Sequence, residues 1–113
     1  MLNGYGGQFL PSKNAVIAAS GTKSAAIPLN GFVPVGIYFP ATFTGTAVTF
    51  EACDTEDGTY RPVYNSAGAV SYTIAQARFY ALDPKDFAGI NFLKIVSGAT
   101  EGAERTLVVA LKG

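Results

Sequence analysis

The stretch TAVTFEACDTEDGTYRPVY, residues 46–64, limits the fold more than any other part of the chain, because strand alternation and turn chemistry meet in it. Val48, Phe50 and Ala52 share one face of an extended segment and Thr49, Glu51 and Cys53 the other, the period-2 pattern of a half-buried strand. Residues 54–58 then supply carboxylates and a glycine, which bond their own backbone or accept positive φ, before the β-favouring Thr59 and Tyr60. A β-hairpin is predicted here, with Phe50 directed into a core and Glu51 pairing with Arg61 across the arms.

Similar signals recur along the chain. Short apolar runs at 15–19 and 24–29, separated by the loop-like Ser20, Gly21, Thr22 and Lys23, predict a first hairpin. The run VPVGIYF at 33–39 predicts a strand with Val33, Val35, Ile37 and Phe39 as its core set. Pro34 requires that this strand begin there, lie on an edge or carry a bulge near Gly36. Val70, Tyr72 and Ile74 alternate again, and residues 78–82 carry apolar bulk on both faces, which predicts an internal strand. In DPKDFAG, Asp83 suits a helix N-cap, Pro84 the first helical position and Gly89 the position after the last, so one short helical turn is expected over a buried Phe87. Two closing strands are expected at 92–96 and 106–111, joined by a loop at 98–104.

Eight or nine short strands spaced by turn residues predict an all-β fold, an antiparallel β-sandwich of jelly-roll or immunoglobulin-like type with one short helical turn. The domain is expected to span residues 15–113, preceded by an extended N-terminal arm over 1–14. Three glycines and a proline break that arm around Tyr5, Phe9 and Leu10, making it too irregular for a regular element and too apolar for water.

Composition bears on function. Charged residues are 14% of the chain, against about 25% in an average soluble domain. A small domain with so little charge is expected to hide part of its surface in an assembly. Basic and acidic residues number eight each, giving a net charge of zero and no basic stripe for nucleic acid. No apolar run has the length of a membrane span, so no membrane partner is expected. The chain has no histidine, the usual general base and nitrogen metal ligand, and a single cysteine, Cys53, which reads as a packing residue. No enzymatic activity and no cofactor are expected. Asp54, Glu56 and Asp57 offer hard oxygen ligands but lack calcium-loop spacing and read as a solvated turn. Tyr5, Tyr60, Tyr64 and Tyr72 suit a protein contact surface or, in a sandwich, a platform for sugar rings.

The order of the segments AIPLNGFVPVGIYFPATF, TAVTFEACDTEDGTYRPVYNSAG, FYALDPKDFAGINFLKIVSG and ERTLVVALKG resembles a group of small tailed-bacteriophage virion proteins. The likeness covers about residues 26–112, lies in core and turn residues, and leaves the arm outside. It implies a head decoration (cement) protein that binds the outer lattice of the major capsid protein, after assembly in the host cytoplasm, either singly or as a homo-oligomer. A carbohydrate-binding or tail/neck attachment module is the alternative. The resemblance brings no catalytic residues. The residues expected to meet a partner are Tyr5, Phe9, Leu10, Tyr60 and Tyr64.

Overall fold

The computed structural model describes residues 10–113, which form eleven strands and one 3-10 turn. Tyr5, Phe9 and most of the expected arm lie outside the described residues. The strands are β1 (Ser12–Ile17), β2 (Ile27–Pro28), β3 (Val33–Tyr38), β4 (Ala47–Cys53), β5 (Arg61–Pro62), β6 (Tyr64–Asn65), β7 (Gly68–Ala69), β8 (Ser71–Thr73), β9 (Phe79–Ala81), β10 (Phe92–Ser97) and β11 (Arg105–Lys112). β1 begins at Ser12, so residues 12–14 belong to the sandwich rather than to an arm, fixed at their start by a bond from Leu111 N to Pro11 O.

The first strand pairs with the last, β2 with β10, β3 with β9, and β4 with β5 and β8, all antiparallel. This nested hairpin wraps into two sheets, one ordered β1-β11-β3-β9 and the other β2-β10-β4 with β5 and β8 sharing the far edge of β4. Such a double-sheet arrangement is the jelly-roll form of the sandwich rather than the immunoglobulin one. β1 and β2 therefore lie in different sheets. The expected first hairpin is instead a corner between them, stitched by a bond from Ala25 N to Val16 O and a bridge from Ile17 to Ser24.

The core fills the space between the sheets. Ala15, Ile17, Ile37, Leu107, Val109 and Leu111 come from one sheet, and Ile27, Val48, Phe50, Leu93 and Ile95 from the other, all at most 2% exposed. Phe50 sits where the alternation put it, edge-on to Phe87 at 4.9 Å and to Tyr72 at 6.1 Å. Phe87 is held beneath the 3-10 turn Pro84–Asp86, which Asp83 caps by accepting from Lys85 N at 3.1 Å. Phe43 is buried as well, edge-on to Phe39 at 5.1 Å.

Of the three ways expected for β3 to accommodate Pro34, the structure takes the bulge near Gly36. Ala110 lies opposite Gly36 and Leu111 opposite Pro34, so Val35 has no partner and forms a bulge. The bulge shifts the alternation: Pro34 is buried, Ile37 and Phe39 stay in the core, and Val35 turns to the outer face. This is how a proline is accommodated in a strand bonded on both sides. β9 is also not internal. It closes the edge of its sheet, and its outward apolar bulk faces away from the core.

A candidate contact face

The bulge in β3 and the edge position of β9 build one surface. Tyr38 and Phe79 stand directly opposite each other on neighbouring strands, ring centroids 4.6 Å apart, and remain 55% and 47% exposed. Phe79 also lies over Gly36, where an added Cβ would run into its ring. The glycine thus lets the aromatic lie flat on the sheet, a pairing that also protects the exposed backbone. Val108 and Ala110 on β11 and the bulged Val35 continue the surface toward β1, where Ser12 and the 59% exposed Leu10 complete it. Together they line a shallow groove of about 420 Å³ on the outside of the four-stranded sheet, and none of these side chains is charged. A concave apolar patch with two exposed aromatics has the composition of a contact surface.

Of the residues expected to meet a partner, Leu10, Tyr60 and Tyr64 are described, and these three lie apart; Tyr5 and Phe9 lie outside the described residues. Among the described residues, Leu10 alone joins this groove. Tyr60 is half-buried and spent within its own turn: its hydroxyl donates to Glu56 O at 2.8 Å, and Lys94 Nζ lies 4.3 Å over its ring. Burial, and then the neighbouring Cys53, Glu56 and Asp57, raise its pKa. Tyr64 is 67% exposed but belongs to the β6-β7 ribbon, which hangs from the other sheet through Val63 N to Phe50 O. The signal for Tyr38 and Phe79 was present as apolar residues on the solvent side of alternating strands. Its meaning depended on recognising β9 as an edge.

The sugar-platform reading meets two obstacles in the same geometry. The Tyr60 ring is covered by Lys94, and Tyr72 packs its ring against Phe50 while its hydroxyl accepts from Asp83 N at 3.0 Å. A hollow of about 290 Å³ beside it has a mixed lining, with Asn65, Asp83 and Asp86 among its polar residues and Ala67, Ala69 and Val70 apolar, and the Asn65 amide donates to the Asp86 carboxylate at 3.1 Å. In the hairpin, the expected Glu51–Arg61 pair is replaced by Glu51–Lys23 at 2.9 Å, because Arg61 falls opposite Ala52.

A feature that sequence reading missed is the fully buried Glu101, in the loop before β11. Its carboxylate accepts from Thr44 N at 2.9 Å, Gly45 N at 3.0 Å, Ser97 Oγ at 2.9 Å and Arg105 Nε at 3.0 Å. Burial acts to raise its pKa, and these bonds outweigh burial and hold it below the ordinary value. With both oxygens occupied and no exposed surface, this carboxylate is a structural clasp rather than a base. The glutamate is recognisable only once Gly45 brings the backbone close to Ser97. Compared with known proteins, the chain matches no family model, no curated protein and no solved structure.

Proposed function

We propose that this chain is a non-enzymatic structural protein of a tailed-phage virion, a decoration protein that attaches to the major capsid protein lattice through the outer face of its β1-β11-β3-β9 sheet. The observation that carries the reading is the uncharged Tyr38–Phe79 groove, an apolar surface left on the outside of a domain whose core is already complete. Interfaces are enriched in aromatics and depleted of charge at their centres, which is the composition of this face. The low overall charge and the resemblance in the order of core and turn segments agree with it. On a lattice the same site recurs many times, so a modest contact per copy suffices if copies cluster.

The test is sedimentation of the pure protein with isolated phage heads and, separately, with cell-wall glycans. Saturable binding to heads, in a fixed ratio to capsid subunits, is expected. Retention by glycans with no binding to heads would replace this reading with a carbohydrate-attachment role.

A further inference from the structure

We infer that two copies of the chain join edge to edge through β9, antiparallel about a two-fold axis at Tyr80, with Phe79 of each paired to Ala81 of the other. β9 ends its sheet, with β3 as its strand neighbour. Phe39 N donates to Arg78 O and Leu82 N to Val35 O, so residues 78, 80 and 82 turn their backbone groups toward β3. In an antiparallel ladder the intervening residues turn theirs the other way. Phe79 and Ala81 therefore present their N–H and C=O groups outward, and among the described residues nothing bonds them.

This edge is self-complementary. Of the two-fold registers, the one that sets Phe79 opposite the partner's Ala81 engages every one of these outward groups on both copies. There the bulky ring meets a small side chain on the outer face, and the two Phe79 residues become diagonal neighbours about 7–8 Å apart, within reach of aromatic side chains. The Tyr38–Phe79 pairs of the two copies thereby join into one row, and the outer face itself stays open. Charge agrees as well. Arg78 and Asp83, both exposed, flank the strand at its two ends, so the two-fold brings the cation of each copy beside the anion of the other.

The opposite edge of the sheet lacks this fit. β1 carries Lys13, and its Val16 O already accepts from Ala25 N, whereas β9 holds no charge, no proline and no bulge, the devices that keep strand edges apart. A strand of 3 residues buries far less than the roughly 800 Å² per partner of a standard interface, so the pair is weak and forms at high concentration or where copies sit side by side. The pairing is a property of the free protein and holds whatever the outer face attaches to.

Sedimentation equilibrium of the full-length protein alone, from about 10 μM to about 1 mM, should show the mass rising from one chain toward two and no further, as for a small transient interface. Over the same series the amide resonances of Phe79 and Ala81 should shift, while those of Ser12 and Asn14 on the β1 edge stay fixed. Ala81→Pro removes an outward N–H and none of the bonds to β3, so it should remain monomeric with its thermal midpoint kept. Arg78→Glu, which sets like charges together at both ends of the pair, should weaken association at least about fivefold and serves if the proline variant unfolds. A mass of one chain throughout, growth beyond two copies, shifts confined to the β1 edge, or association untouched by the substitutions would each overturn the inference. No capsid is present in these measurements, so their failure is separate from failure of head binding.

Discussion

Arg105 donates from Nε to the buried carboxylate of Glu101 at 3.0 Å, and through that one pair the loop before β11 holds the loop between β3 and β4. The arginine reaches on to Thr42 Oγ1 at 3.2 Å, and its side chain is only 13% exposed. Replacing Glu101 by alanine would leave the Arg105 charge, two backbone donors and the Ser97 hydroxyl without their acceptor. Breaking one partner of a buried pair costs about 3–5 kcal/mol. Glu101→Ala should therefore lower the urea midpoint by that equivalent, or fail to fold, while alanine at the exposed Glu104 should leave it nearly unchanged.

The same pair gives the protein an acid-side limit. Because the folded pKa of Glu101 lies below its ordinary value of 4.5, its contribution is fully present above that pH and is lost as pH falls through the folded value. Thermal midpoints should be flat in this respect near neutrality and drop below pH 4.5 more steeply for the native chain than for Glu101→Gln. Parallel curves for the two proteins would show that this carboxylate does not set the acid limit.

Phe50 and Tyr60 separate the core from the turn. Phe50→Ala empties the space between Phe87 and Tyr72 and should cost about 3–5 kcal/mol in denaturant unfolding. Tyr60→Ala removes one hydrogen bond and an exposed cation–π contact, each worth about 1 kcal/mol or less, so its midpoint should shift far less.

The bulge in β3 makes Val35 and Ile37, two residues apart, behave oppositely. Val35→Ser, on the outer face, should change stability by under about 1 kcal/mol, whereas Ile37→Ser, fully buried, should cost more than about 2 kcal/mol. Equal costs would mean that Val35 contributes to the core after all.

These residues also show what the sequence discloses and what it withholds. The hairpin, its Phe50 face and the Asp83-capped turn were legible because each is decided within a few residues, by alternation or by a cap. In β3 Ile37 and Phe39 face the core as the alternation predicts and Pro34 with Gly36 marked a bulge as one option, but Val35 was misplaced because the alternation alone does not tell which residue the bulge leaves unpaired. Tyr38 and Phe79 are far apart in sequence and meet only through the β3-β9 pairing. Glu101 reads as one more loop carboxylate until long-range folding places Thr44 and Gly45 against it, with a sequence separation of 57 residues for the first.

Attachment through the Tyr38 face is tested directly by binding to phage heads. Equilibrium binding to isolated phage heads should be compared for the native chain, Tyr38→Ala and Tyr64→Ala, with unfolding midpoints measured alongside. Tyr38→Ala should weaken binding at least about tenfold, equivalent to about 1.4 kcal/mol, with little change in midpoint, and Tyr64→Ala should bind like the native chain. Native-like binding by Tyr38→Ala together with loss of binding by Tyr64→Ala would contradict the assignment and move the contact to the β6-β7 ribbon on the opposite sheet.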